Sequence, residues 1–301
     1  MALKRRRNRI FRTAKEELKH SISSKSYPQT ESSAYQLAYT DQEFLLRKEL
    51  RPIRLQLELL KAELIQQQAK IKSTVVIFGS ARIPDTETST KRLHALQGML
   101  AKKPDDSQLK QAIKIAEKIA QKSQYYEEAL RLAKLISRHG RDLEGNPLVV
   151  VTGGGPGIME AANRGAHEVG AKNVGLNIVL PMEQGPNHYI TPEFCFQFHY
   201  FAVRKMHFLI RAKALVVFPG GYGTLDELFE ALTLLQTGKI ARMPIILVGK
   251  KYWAALINFD FMVSEGVVDK EDLNLFTYAE TAQEAWNVIE QFYGGSKTKE
   301  S

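Results

Sequence analysis

Four short runs of β-branched and aliphatic residues, each ending at glycine or proline, constrain this chain more than any other feature. They are TVVIFG at 74–79, LVVVTGGG at 148–155, ALVVFPGG at 214–221 and PIILVG at 244–249. None alternates apolar with polar residues, as a strand with one wet face would. Runs that are apolar throughout are buried on both faces, the condition of a parallel sheet with helices packed on each side. NVGLNIVLP (173–181), EFCFQFHYF (193–201) and a segment near 273–277 read as further strands. Amphipathic helices are expected over 86–103, 106–139, 157–169, from after 201 through Arg204 to about Arg211, over 224–237, from Tyr252, and over 281–293. The pattern predicts an α/β fold: a doubly wound, Rossmann-like parallel sheet spanning 73–293, with an N-terminal helical extension. Ligands of such sheets bind at the carboxyl ends of the strands.

The extension begins at Asp41, a helix cap, and is expected to run as an amphipathic helix over 41–72. Leu46, Leu50, Ile53, Leu57, Leu60 and Leu64 recur at spacings of three and four and form one apolar stripe. Pro52 either kinks this helix or starts a second segment. The stripe needs a surface to bury against, in its own domain or on a second subunit. Residues 1–40 read as a basic, flexible arm with a Ser/Thr-rich linker at 21–40, and 294–301 as a tail. The net charge of +9 belongs mostly to the arm: residues 1–20 hold eight Lys/Arg and two Glu, leaving +3 for the rest. Such an arm can touch nucleic acid, but apart from Phe11 it lacks the interleaved aromatics that stack bases. The solvated-tail reading is preferred. No apolar run approaches the roughly 18 residues of a membrane span. The lone Cys195 allows no internal disulfide framework, and a reducing cytoplasm fits best.

Three strand exits are candidates for the ligand crevice. FGSAR (78–82) offers Ser80 and Arg82; TGGGPGIMEAANRGA (152–166) offers Gly153, Gly154, Gly155, Gly157, Met159 and Asn163; PGGYGTLDE (219–227) offers Gly220, Gly221, Gly223 and Thr224. Glycines after a strand let backbone N–H groups approach a phosphate, and the following helix adds a partial positive charge. One such turn can be mere strand-to-helix packing; two in one sheet favour a nucleotide-sized ligand. GxxxxGK[ST] is absent, which counts against a P-loop triphosphate site. The first turn is GxGxG rather than GxGxxG, and NVGLNIVLP ends without a ribose-binding acid, so a dinucleotide fits less well than a mononucleotide.

Asp226 and Glu227 follow the last glycine turn. Both could simply complement the helix macrodipole. Adjacent helical residues point about 100° apart, so one at most faces the ligand, and Glu227, beside Leu228, is the inward candidate. Arg204 and Lys205 lie on a helix where basic residues alone would indicate a solvated face. His199 and His207 lack a third well-spaced metal ligand. Ser80 and Ser107 lack a GxSxG elbow, and Cys195 in an aromatic strand reads as core. No metal and no cofactor are expected.

Taken together, GGGPGIMEAANRGA, the Arg204-Lys205 pair and PGGYGTLDE resemble the LOG (Lonely Guy) family of nucleoside 5′-monophosphate phosphoribohydrolases. The family's PGGxGTxxE is matched at Pro219, Gly220, Gly221, Gly223, Thr224 and Glu227. The resemblance covers roughly Thr74 to Tyr293. With residues 1–72 and much of 86–122 outside the minimal domain, the chain is similar to the longer bacterial members, which are nucleotide nucleosidases. It implies hydrolysis of an N-glycosidic bond, AMP or another purine nucleotide being the expected substrate. It also implies Arg204 and Glu227 as the catalytic pair, a phosphate cradle at Gly221–Thr224, and Ser80, Arg82, Gly153–Gly155, Met159, Asn163 and Lys205 as substrate contacts around the rest. A homodimer or higher homo-oligomer is expected. Glu160 stands where plant-like members usually have Gly, a departure that bears on cytokinin specificity more than on hydrolysis. Relatives carry a lysine decarboxylase label, yet no pyridoxal-phosphate lysine site is evident. The competing reading is a non-catalytic carrier, similar to molybdenum-cofactor carrier proteins, using the same cradle.

Overall fold

The structure, a computed structural model, describes residues 11–21, 26–181 and 185–294. Residues 1–10 of the basic arm and 295–301 of the expected tail lie outside the described residues. The chain divides into two compact units, Met1–Leu57 and Glu58–Ser301. The first carries α1 (Ala14–Ser21), α2 (Pro28–Glu31), a 3-10 turn at Ser33–Tyr35, α3 (Gln42–Leu45) and a second 3-10 turn at Lys48–Leu50. The stretch 21–40, expected as a plain linker, thus includes two short helical turns.

The single helix expected over 41–72 is interrupted. Asp41 does act as a cap, accepting the Phe44 N–H at 2.9 Å, but it caps only α3. The long helix is α4 (Arg51–Gln68). Pro52 sits in its first turn, where the missing N–H leaves no intrahelical bond unmade, so it starts the helix rather than kinking it.

In the second unit, strands β1 (Ser73–Phe78), β2 (Leu148–Thr152), β3 (Asn173–Ile178), β4 (Cys195–Phe198), β5 (Ala212–Val217), β6 (Ile245–Val248) and β7 (Thr277–Ala279) form one sheet. Their order is β4-β3-β2-β1-β5-β6-β7, and every pairing is parallel. The helices are α5 (Thr86–Lys102), α6 (Ser107–Lys122), α7 (Gln124–His139), α8 (Ile158–Glu168), α9 (Phe201–Leu209), α10 (Tyr222–Gln236), α11 (Lys250–Leu256), α12 (Phe259–Ser264) and α13 (Ala282–Gly294). The expected doubly wound sheet is therefore present. Val75, Ile77, Val150, Val216 and Ile246 are fully buried in it, which is why the strands lack polar alternation.

The differences are local. The helix expected over 106–139 breaks at Ser123, whose buried hydroxyl lies 2.5 Å from that of Ser89 on α5. The last strand is Thr277–Ala279, preceded by a 3-10 segment over Lys270–Leu275 where a strand was expected. α12 is six residues long, too short for a periodic signal. Among the described residues, no helix is long and apolar enough to cross a membrane.

Strand order reverses at β1. The chain winds outward from β1 to β4, returns, and winds outward again from β5 to β7. The β1 and β5 exits therefore diverge and leave a crevice at the carboxyl edge, the topological switch point of this class.

Candidate active site

A cavity of about 610 Å³ opens at that switch point. Ser80, Arg82, Gly153, Met159, Arg204, Gly220, Gly221, Gly223, Thr224 and Glu227 line it, brought together from three strand exits and three helices. Phe78, Phe201, Tyr222, Tyr252 and Leu256 line it too, although none is singled out as a ligand contact by the sequence. In the sequence they resemble ordinary aromatic and aliphatic core residues; Phe78 is indeed buried, whereas Tyr222 is 93% exposed and Phe201 50%.

Backbone bonds join the exits into one floor. The Phe218 N–H donates to the Phe78 carbonyl at 2.8 Å and the Ser80 N–H to the Pro219 carbonyl at 3.0 Å. The Ile158 N–H donates to the Ser80 carbonyl at 3.2 Å. Gly157 makes this closure possible. It has φ +70°, and a Cβ there would stand 2.5 Å from the Ser80 carbonyl oxygen. Gly220 is equally constrained, since a Cβ would lie 2.1 Å from Thr224 Oγ1. The Tyr252 hydroxyl donates to the Gly220 carbonyl at 2.6 Å and braces the turn from α11.

Helix α10 starts at Tyr222, two residues earlier than expected, with Gly221 as its N-cap and no side-chain cap bond. Gly223 and Thr224 thus fall inside the first turn, whose N–H groups have no intrahelical acceptors. Together with the helix dipole they favour an anion, worth about 0.3–1 kcal/mol for an exposed charge and up to ~2 when partly buried.

The two adjacent acids part company. Glu227 is only 8% exposed, and burial pushes its carboxyl up to about 7 against the opposing pull of Lys205 and Arg204. Asp226 also lines the cavity but is more exposed and paired with Lys205, whose Nζ lies 2.8 Å from Asp226 Oδ1 and 3.0 Å from Glu230 Oε2. Burial works against the Lys205 charge, but these two bonds outweigh it and hold its pKa above the ordinary lysine value. Arg204 is anchored from behind. Its Nε donates to the Leu176 carbonyl at 2.7 Å, Nη2 approaches the Gly153 carbonyl at 3.5 Å, and the guanidinium lies 5.1 Å from the Phe208 ring centre. Arg204 thus stands at the β2–β3 side of the switch point, and the α10 N-terminus at the β5 side.

Several expected site residues are not among those lining the cavity. Lys205 is held by Asp226 and Glu230. Gly154, Gly155 and Gly157 shape the turn behind the cavity wall. Asn163 is fully buried in a network that fixes that turn. Its Oδ1 accepts from Thr152 Oγ1 at 2.6 Å and Asn187 Nδ2 at 3.0 Å, and its Nδ2 donates to Asn173 Oδ1 at 2.8 Å. Asn187 in turn donates to the Gly154 and Gly155 carbonyls, each at 3.1 Å. Glu160 is also turned away, accepting a bond from the Tyr126 hydroxyl at 3.0 Å. His207 is buried against Phe198, and the His199 ring packs on Tyr200. Cys195 is half-buried beside Asn177, and burial raises its thiol pKa.

Comparisons with known proteins bear on these residues. A family model described as "Possible lysine decarboxylase" matches residues 159–289. The rice (Oryza sativa subsp. japonica) cytokinin riboside 5′-monophosphate phosphoribohydrolase LOG is 30% identical over 178 residues, 57% of this chain and 68% of the relative. The Arabidopsis thaliana cytokinin riboside 5′-monophosphate phosphoribohydrolase LOG7 is 31% identical over 176 residues, 57% of this chain and 76% of the relative. A solved molybdenum-cofactor carrier protein from Chlamydomonas reinhardtii is 17% identical, with a TM-score of 0.42 over 74% of this chain and 99% of that one. A likeness that loose carries no argument about ligand or activity.

Proposed function

This chain belongs to the LOG family of phosphoribohydrolases, and we propose that it hydrolyses the N-glycosidic bond of a purine nucleoside 5′-monophosphate, AMP first, to free base and ribose 5-phosphate. One observation carries the reading. A buried carboxylate, Glu227, shares a cavity with an uncapped helix N-terminus and an anchored guanidinium. A nucleotide has matching parts: an anionic phosphate, a sugar that becomes cationic in the transition state, and a base that leaves with negative charge.

In this proposal the first-turn N–H groups of α10 and the Thr224 hydroxyl hold the 5′-phosphate, with Ser80 and Arg82 across the floor. Glu227, one turn further along the same helix, faces C1′. The C1′–N bond breaks with its electron pair leaving on the base, through an oxocarbenium-like sugar as in glycoside hydrolysis. The Glu227 carboxylate stabilises that cation and takes a proton from the attacking water, whose oxygen bonds C1′. The departing base regains a proton from solvent. Arg204, permanently charged and set away from the phosphate cradle, stabilises negative charge on the leaving base. Phe201 and Tyr222 at the mouth offer flat apolar surface to a purine.

A homo-oligomer belongs to the same proposal. Ile53, Leu57, Leu60 and Leu64 stand on α4 at spacings of four, three and four, each more than 40% exposed. A second copy of the chain is the occupant we propose for that stripe, and light scattering of Leu60→Lys against the unaltered protein tests it. The activity is tested by incubation with a panel of nucleoside monophosphates, scoring free base and ribose 5-phosphate. Release from AMP is expected; release from no nucleotide would overturn the proposal.

A further inference from the structure

Helix α9 carries Arg204 in its first turn, yet Tyr200, its N-cap, provides no side-chain cap bond. The chain just ahead of the helix is instead held by a carboxylate from far away in the sequence. Glu58 of α4 accepts the His199 N–H on Oε1 at 2.8 Å and the Tyr200 N–H on Oε2 at 3.2 Å. The carbonyl of that same Tyr200 accepts the N–H of Arg204 at 3.2 Å. One residue therefore separates the Glu58 carboxylate from the backbone of Arg204. At the other end of α9, Arg211 Nη2 lies 2.6 Å from Glu63 Oε1, and its Nε donates to the Ile71 carbonyl at 3.0 Å. Two carboxylates five residues apart on α4 thus grip a nine-residue helix just before its start and just beyond its end.

We infer that Glu58, with Glu63 as its counterpart, is a positioning residue for the proposed hydrolysis, setting the first turn of α9 and so the reach of Arg204. This rests on the reading of Arg204 given above. An ionised acceptor makes stronger, shorter bonds to N–H than a neutral one, and its charge suits a helix N-terminus. A helix of nine residues has little stability of its own, so its position depends on what it is tied to. The Glu58 carboxylate does not line the cavity; it acts through Tyr200.

The test is Glu58→Ala and Glu58→Gln in the full chain, read three ways. The Ala variant is expected to lose about 10- to 100-fold in kcat, the scale of a misplacement of roughly 1 Å. Its affinity for ribose 5-phosphate should change less than about twofold, because the cradle is built by α10 and not α9. Amides of 199–204 should exchange hydrogen faster while those of α8 are unchanged. The Gln variant, which keeps one acceptor oxygen, should fall between the two. The inference is overturned by wild-type kcat and wild-type exchange in the Ala variant. It is equally overturned if kcat, ribose 5-phosphate affinity and melting temperature all fall together, the mark of a merely structural role. Should the Ala variant fail to fold, the Gln variant decides on the same three readings. If the unaltered protein releases no base from any nucleotide, the proposed function fails on its own, and the exchange comparison still decides whether Glu58 orders the Arg204 turn.

Discussion

The ammonium of Lys205 stands 2.8 Å from the carboxylate of Asp226, and this contact separates the fates of two adjacent acids. Asp226 is neutralised at the surface. Glu227, next along the helix, is buried and takes part in no ion pair among the described residues. Lys205 stays close enough to lower the Glu227 pKa but bonds elsewhere. It tunes the acid without capping it.

Because burial holds Glu227 near 7, the ionised, working form grows in as pH rises through neutrality. The kcat/KM for AMP is expected to climb between about pH 6 and 8 and then level off. Lys205→Met removes a charge that favours ionisation, so its profile should move to higher pH. A pH–rate series on both proteins checks this, and a shift to lower pH in the variant would contradict it.

Glu227→Gln should reduce turnover by at least about 10²-fold, the scale of a lost acid–base group, while making the fold more stable in alkali. The sign follows from linkage. The folded pKa lies above the ordinary value of 4.5, so the folded state binds the extra proton. Stability is full below about 4.5 and is lost as pH rises through about 7. The cost at pH 8 is about 3 kcal/mol at most, for a shift of roughly 2.5 units. Glutamine stays neutral and escapes it. Paired melting curves should differ little at pH 5 and favour the variant at pH 8.

Gly220→Ala and Gly221→Ala should behave differently although they are neighbours. A Cβ at 220 would meet Thr224 Oγ1 at 2.1 Å, whereas a Cβ at 221 meets nothing within 4 Å. The first variant must deform the α10 N-terminus, and its affinity for ribose 5-phosphate should fall about tenfold or more, on the scale of one lost charge-assisted hydrogen bond. The second should fold normally and keep its melting temperature. Titration calorimetry and melting curves on the two proteins give the comparison.

Asn163→Ala should act on stability rather than on substrate affinity. It strips partners from Thr152, Asn173 and Asn187 at once. Each group left unsatisfied costs about 1–3 kcal/mol, so a fall of several degrees in melting temperature is expected. At a temperature where the variant is folded, KM should stay near the wild-type value. A residue that touched substrate would show the opposite pattern.

The sheet was legible because its strands are apolar on both faces, and the crevice because glycines end them. Glu227 could be picked from its neighbour Leu228, since the side of a helix facing a core is readable from period alone. Partnerships between distant segments were not readable. Asn163 lies inside a glycine-rich motif and so reads as a ligand, but its partners Asn173 and Asn187 lie 10 and 24 residues downstream. Lys205 beside Arg204 reads as a second substrate contact until α10 is seen to supply two acids for it. Ser123 breaks a helix without glycine or proline, through a hydroxyl contact 34 residues away in the chain. Glu58 carries no local signal at all; its acceptors' partners are 141 and 142 residues on.

The floor and the mouth of the cavity differ in how much change they tolerate. At Gly157 and Gly220 a single added carbon collides with the neighbouring loop or with Thr224. Tyr222, Phe201 and Leu256 at the mouth are exposed, with nothing comparable to these collisions. Under the proposed function, a lineage built on this scaffold would exchange the nucleobase it prefers through rim substitutions of small thermodynamic consequence. Gly157 and Gly220, which would shape the sugar-phosphate end in this proposal, have no such latitude, so new substrates would be reached by repainting the doorway while the foundation stays as it is.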